Sequence, residues 1–154
     1  MDRAQKAREI IANIRYVTIA TASKNGMPWN TPVFSAFDET YNFYWTSWHG
    51  TQHSQNIVEN ENIFIAVYDS TVPEGAGEGV YIKAKAYELA DQGEITRAAS
   101  YLYGRKNKAP RAASEFVGES PRRMYKAVVE KCWVNLDVDV KGSFIDTRRE
   151  VLLI

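Results

Sequence analysis

The order of apolar and polar positions sets out the first element. Ala4, Ala7, Ile10, Ile11 and Ile14 recur at steps of three and four residues, one apolar stripe along an amphipathic helix that must pack on something else. Tyr16 to Ala22 (YVTIATA) then reads as a strand rich in β-branched residues, and Lys24-Asn25-Gly26 supplies the positive φ angles of a tight hairpin. A returning strand is expected from about Trp29 to Phe37. Asp38-Glu39-Thr40 turns the chain again, and Tyr41 to Ser47 (YNFYWTS) is a third strand dense in aromatics, so the three are expected to form a meander.

After Gly50 the pattern becomes helical, with Thr51 or Ser54 as caps and Ile57 and Val58 as the apolar face, before Ile63 to Tyr68 resumes as strand. The loop Ser70 to Gly79 carries Pro73 and several glycines, and Val80 to Leu89 alternates as a long strand. Asp91 to Gly104 predicts a helix with Ile95, Ala98, Ala99 and Leu102 inward. Ser120-Pro121 resembles a cap and proline opening a short helix over RRMYKAV. The chain closes on strands near Lys131 to Val140 and Phe144 to Leu153, joined at Lys141-Gly142. Six or seven strands joined mainly by hairpins, with helices at the corners, argue against a doubly wound sheet and for a mainly β, α+β fold: a small antiparallel barrel with flanking helices.

Composition narrows the function classes. At 154 residues one domain is expected, with roughly 70% of the unfolded chain's surface buried on folding. Lys plus Arg and Asp plus Glu are 19 each, so no overall basic field points to nucleic acid or to an acidic membrane surface. One cysteine and two histidines cannot fill a Cys/His structural zinc site, and the lone Cys132 excludes an internal disulfide. The N-terminal segment has neither the apolar core of a signal peptide nor a membrane-length run, so a cytoplasmic protein is expected.

The chemistry concentrates in Tyr44 to Asn56, YWTSWHGTQHSQN, which holds both histidines and, besides its aromatic rings, four Ser and Thr side chains. A strand end followed by Thr46, Ser47, Thr51, His53 and Ser54 at a helix start groups donors around open backbone N–H groups, as a phosphate seat requires. The same residues also suit plain strand and cap positions, with Trp45 and Trp48 as core or rim. His49 and His53 are four apart, but Gly50 interrupts the helix between them and no carboxylate lies close in sequence, so no metal site is expected. Cys132 lies in an alternating strand where a small apolar side chain is the ordinary explanation, and Ser54 beside His53 cannot form a triad. The glycines of EGAGEGV lack the strand-before, helix-after setting of a dinucleotide fingerprint.

The succession YVTIATASKNGMPWNTPVFSAFDETYNFYWTSWHGTQHSQNIVENENIFIAVYDS, then GVYIKAKAYEL, resembles the FMN-binding split β-barrel proteins related to pyridoxamine 5'-phosphate oxidase. The likeness runs from about Arg8 to Leu89 and, more loosely, over WVNLDVDVKGSFIDTRREVLL. It rests on order: an "AT" strand, a "G-x-P" turn, a "P-V" strand, a "Y-W-T-S" strand and a "T-Q-H-S-Q-N-I" helix start.

The resemblance implies an antiparallel split β-barrel and a homodimer with two FMN sites at the subunit interface. The isoalloxazine would lie along Asn30, Thr31, Pro32, Val33 and Phe34 and the strand end Trp45, Thr46 and Ser47, with the phosphate near Ser47, Thr51, Gln52 and His53. The family's usual Ser-Arg-Lys is here Thr51-Gln52-His53, and its Arg at the start of strand two is here Thr31, so positive charge is lost at three places. Arg148 of a second subunit is a candidate replacement and Trp133 a candidate ring contact. The family's C-terminal Arg-x-His has no counterpart, since no histidine follows His53. The expectation is an FMN-dependent oxidoreductase transferring hydride to or from a small substrate, and not a strict pyridoxamine phosphate oxidase. No catalytic residue beyond the flavin is identified. A non-catalytic flavin or haem carrier, with His49 or His53 as haem ligand, a deazaflavin-dependent reductase and an empty dimerisation module are the alternatives.

Overall fold

Asp2 accepts the Ala4 N–H and opens α1 (Arg3–Asn13) in the computed structural model, which describes residues 2–154. The strands are β1 (Tyr16–Ala22), β2 (Pro28–Phe34), β3 (Ala36–Phe37), β4 (Phe43–Trp48), β5 (Asn62–Tyr68), β6 (Gly79–Glu88), β7 (Arg122–Val140) and β8 (Ser143–Val151). Two more helices, α2 (Gln52–Glu59) and α3 (Gln92–Arg105), and a 3-10 turn at Ala113–Phe116 complete the elements. The sheet is antiparallel throughout, in the order β2-β1-β5-β6-β7-β4-β3, with β8 on β7. It does not close, and β7 explains the split. Its first part pairs with β4 over 122–127, and the same edge passes to β8 over 132–140, so two strands diverge from one.

The expected hairpin is present: Gly26 takes a φ of 83° and the Ser23 N–H bonds the Met27 carbonyl at 3.0 Å. The meander is not. The second strand breaks at Ser35, β3 pairs only with β4, and β4 finds its long partner in β7, at the other end of the strand order from β1 and β2. The helix expected over RRMYKAV is the start of β7. Met124 packs beneath α3 while Tyr125 and Ala127 face the barrel, so both faces of this strand are buried and no two-residue alternation announces it.

Two cores result. Val17, Ile19, Ile65, Ile82, Phe43 and Trp45 fill the barrel interior, joined by Ala7 and Ile11 of α1 and Ile57 of α2. Tyr44, Leu89 and Met124 form the second on the outer side of β4 and β7, closed by Ile95, Ala98, Ala99 and Leu102 of α3, the inward face its spacing predicts. Val58, expected inward with Ile57, is 80% exposed; the buried face of α2 is His53, Ser54, Asn56 and Ile57, mostly polar.

Arg105, the last residue of α3, joins the two halves. Its guanidinium donates to the carbonyls of Ile11, Ala12 and Ile14 at the end of α1, at 3.1, 2.8 and 2.9 Å, and to that of Ser35 at the β2–β3 break, at 3.0 Å. A planar fork with five donors can satisfy several helix-end carbonyls at once, which a lysine cannot. Among the described residues no helix is long and apolar enough to cross a membrane.

Candidate functional site

Strand alternation sorts the side chains of β4. Phe43 and Trp45 enter the barrel, Tyr44 points to α3, and Ser47 follows Trp45 on the barrel-facing row where the strand ends. Thr46 lies on the opposite row, with Tyr44. The chain then turns tightly. A Cβ on Gly50 would come within 2.5 Å of the Trp48 ring, so a glycine is needed for that indole to fold over the turn. Thr51 next caps α2, its hydroxyl accepting the Ser54 N–H at 3.3 Å.

This local geometry gathers a connected polar set. His53 Nε2 stands 2.8 Å from Ser47 Oγ and 3.2 Å from Thr51 Oγ1, and Thr51 Oγ1 lies 2.8 Å from Ser54 Oγ. Tyr125, stacked on Trp45 at 5.7 Å between ring centroids, brings its hydroxyl to Ser54 as the floor. Burial pulls the His53 pKa below its usual 6.5, and no carboxylate opposes that shift, so the imidazole is neutral near pH 7. On the far side Gln52 donates to Asn56, Asn56 to Thr21 and Thr21 to the Trp29 carbonyl, at 2.8, 3.0 and 3.2 Å. The relay fastens α2 to β2.

The candidate residues therefore separate into groups. Ser47, Thr51 and His53 are hydrogen-bonded together in the cleft where β4 ends and α2 begins, and Gln52 follows Thr51 in the first turn of α2 with its side chain turned to Asn56. Trp45 is fully buried in the barrel core, so its ring is closed off and only its backbone lies at the strand end; Val33 is likewise a core residue. Asn30 and Pro32 are exposed on β2, an edge strand, and Thr31 is half-buried. Ladder bonds flanking β1 and β2 fall on Ser23–Met27 and Arg15–Ser35, so the odd residues of β2 bond β1 and the even ones face outward. Two of those, Pro28 and Pro32, have no N–H. The outward edge thus offers the Asn30 N–H with flanking carbonyls, while Thr31 and Val33 spend their backbone groups on β1.

Trp133 and Arg148 lie elsewhere but together. Trp133 stacks on Phe64 at 6.1 Å, and Arg148 lies 4.2 Å above the Tyr81 ring while donating to its hydroxyl at 3.0 Å, an aromatic shelf on the outer sheet face. Ser47 is level with Arg123 on β7, ten residues before Trp133, or about 30 Å along a straight strand. Within one chain the shelf does not meet the cleft.

His49 is exposed, and its ring centroid is 5.9 Å from that of Trp48. Cys132 is buried, its thiol pushed up to about 12, and fills a core position. Among the described residues no three His, Cys, Asp or Glu side chains are grouped to hold a metal. Sequence reading missed Tyr125, Asn56 and Thr21 as parts of the cleft; polar residues at helix spacing where an apolar stripe is due (His53, Asn56) were the available signal.

As a donor set the cleft fits a phosphate ester. The Gln52 and His53 N–H groups open the first turn of α2, with hydroxyls from Ser47 and Thr51 beside them and the buried Ser54 held against Thr51.

Comparisons with known proteins agree with this fold. A haem-binding protein of Mycobacterium smegmatis superposes with a TM-score of 0.70 at 19% identity, over 96% of this chain and 58% of its own. The haem storage protein of Vibrio cholerae gives 0.68 at 14% identity, over 84% and 92% of the two chains. An FAD-binding protein of Mesorhizobium loti gives 0.65 at 16% identity, over 85% and 92%. No curated protein matches by sequence. The family model for pyridoxamine 5'-phosphate oxidase matches residues 4–134, a span that takes in α1, the β4–α2 cleft and β7 as far as Val134, and the chain belongs to that family.

Proposed function

We propose that the protein is a flavin-dependent oxidoreductase acting on a small molecule, with FMN as the flavin that its family resemblance implies. The observation that carries this reading is the single bonded set uniting Ser47, Thr51 and His53 with the open first turn of α2, tied through Asn56 and Thr21 to the exposed edge of β2. The cleft holds the phosphate, and the ring system runs along Asn30 to Pro32, where the Asn30 N–H and the carbonyls of Asn30 and Pro32 are available to its polar edge. Bound there, the flavin supplies hydride transfer. Thr46 and the Trp45 backbone border the strand end, and no side chain of this chain is assigned as an acid or base.

The shelf of Phe64, Tyr81, Trp133 and Arg148 is apolar, open and remote from the cleft. A second copy of the chain would let one subunit's Trp133 and Arg148 cover the ring held by the other, which supports a homodimer with paired sites. Histidine is missing after His53, which argues against strict oxidation of pyridoxamine phosphate. One observation favours a second reading: His49 is exposed, and its imidazole makes no hydrogen bond among the described residues, as a haem ligand would require.

The test is an absorbance spectrum of the purified protein from 300 to 600 nm, before and after loading with FMN and desalting. Retained flavin bands support the reading, and consumption of a reduced nicotinamide by the loaded protein separates enzyme from carrier. A Soret band after haem addition with no retained flavin overturns it. His53→Ala is expected to flatten the dependence of FMN affinity on pH; unchanged profiles remove His53 from the phosphate site.

A further inference from the structure

The free edges of this sheet are blunted, with one exception. β2 carries Pro28 and Pro32, and β3 is two residues long. β8 runs nine residues, Ser143–Val151, with no proline and no break in its register against β7, and only its β7 side is paired.

The turn fixes which groups that edge presents. Lys141 and Gly142 take φ of 54° and 80°, a two-residue hairpin loop closed by the pairing of Val140 with Ser143. The closing pair of such a hairpin exchanges both hydrogen bonds, so by alternation Ser143, Ile145, Thr147 and Arg149 bond β7. β7 agrees: Asn135, in the row that faces away from β8, gives its carbonyl to Arg3 at 2.8 Å. Phe144, Asp146, Arg148 and Glu150 therefore point their N–H and C=O groups out of the edge, and none of these groups bonds another element among the described residues.

The strand also stands clear of the barrel. β6 ends its pairing at Val134, so from Leu136 onward β7 has β8 alone beside it, and the exposed Val138, Val140, Phe144 and Ile145 lie on this two-stranded arm. Two strands by themselves are marginal in water, and further strands add the stability they lack.

A second copy of β8 has the right charges to be that strand. Two antiparallel copies related by a two-fold axis at Thr147 oppose Asp146 with Arg148 of the other copy, twice, and bring the outward groups of Phe144 and Glu150 together. Moving the axis to Asp146 or to Arg148 faces that charge with its own copy. Charge thus selects one register. In it each hairpin tip reaches the base of the other arm near Val151, and the two barrels lie at opposite ends of a four-stranded ribbon.

We infer that β8 pairs through its free edge with β8 of a second copy of the chain, joining two sheets into one. The contact runs along the sheet's edge, whereas the shelf of Phe64, Tyr81 and Trp133 stands on its outer face. Pairing through β8 is therefore a different interface from a shelf that covers a cleft, and it does not depend on what the cleft holds.

Sedimentation equilibrium of the full-length protein, with Asp146→Pro beside wild type, tests it. The proline removes one outward N–H and none that bonds β7, so the fold is expected to survive, with circular dichroism as the check. Wild type is expected to self-associate, and Asp146→Pro to weaken that association about tenfold or more. Asp146→Arg should weaken it too, by facing Arg148 with a like charge, and adding Arg148→Asp should restore it. The register has its own readout. Thr147→Cys faces its copy across a non-hydrogen-bonded pair, where Cα atoms are about 4.5 Å apart and a disulfide can close, whereas Arg149→Cys sits about 14 Å from its copy. Under a mild oxidant the first is expected to give a covalent dimer and the second to stay uncoupled. A wild type that remains monomeric into the hundreds of micromolar overturns the inference and leaves the edge to a strand of another protein. Association that Asp146→Pro does not weaken, or coupling of Arg149→Cys as ready as that of Thr147→Cys, overturns it as well, the copies then meeting through another surface such as the shelf.

Discussion

The two ends of β4 carry polar clusters built on opposite plans. At its start Asp38, 3% exposed, accepts from the Thr40 N–H at 2.9 Å, the Thr40 hydroxyl at 2.8 Å and the Asn42 N–H at 3.0 Å on one oxygen. The other accepts the Asn42 amide at 3.0 Å and the Tyr44 hydroxyl at 2.8 Å. Burial alone would raise its pKa, but the donors of Asn42, Tyr44 and Thr40 outweigh it and hold the carboxyl at about 2. Although a hollow of about 270 Å³ opens beside Asp38, Tyr44 and Lys126, the carboxylate is saturated from within. At the other end of the strand the His53 set is neutral, and the first turn of α2 keeps donors open. A filled charged cluster fixes a turn; a neutral one with donors to spare waits for an anion.

The largest expected break in this comparison is Asp38→Ala. It strands buried donors of Tyr44 and Asn42 and should cost about 3 kcal/mol in urea unfolding, with flavin affinity within about twofold of wild type. A fall in affinity as large as the fall in stability would merge the two clusters into one site. Acid titration reads the same group. Because the folded pKa lies below the ordinary 3.8, Asp38 stabilises fully above about pH 4 and loses that contribution, about 2 kcal/mol, as pH falls towards 2. Asp38→Asn should remove this part of the acid dependence.

Thr51→Val takes away the cap of α2. A stability loss of about 1 kcal/mol is expected by thermal melting. Flavin affinity should fall with it, the reverse of the Asp38 pattern. The smallest effect belongs to His53 in the protein without ligand. Its folded pKa lies below 6.5, so the unfolded chain takes up the proton first and stability declines as pH drops through that region. His53→Gln should flatten the decline, and melts between pH 5 and 7.5 that show no difference would mean the imidazole is not buried as described.

Legibility in the sequence followed how many faces each element buries. α1 and α3 bury one stripe each, so Ile11 or Leu102 could be placed from spacing alone, and β1 and β6 each alternate a buried row with a less buried one that marks their period. The opening of β7 buries Met124 on one side and Tyr125 on the other, so its pattern mimicked a helix behind a proline. The site was legible at Ser47, Thr51, Gln52 and His53 because cap chemistry is local. Asp38 read as an ordinary turn residue, because its saturation depends on Tyr44 and other partners that only the fold brings in. The shelf joining Trp133 to Tyr81 and Phe64 needed strand register across β5, β6 and β7.

Arg105 sets an order of assembly. The carbonyls that finish α1 are synthesised 91 to 94 residues ahead of their partner, Arg105. Until α3 has emerged those carbonyls must be left to water, so the N-terminal helix can touch the growing barrel but not lock onto it. A nascent chain stalled before this arginine would be expected to leave α1 open to protease, and one stalled well beyond it would not. In this molecule α1 is synthesised before the barrel strands and is secured only after α3.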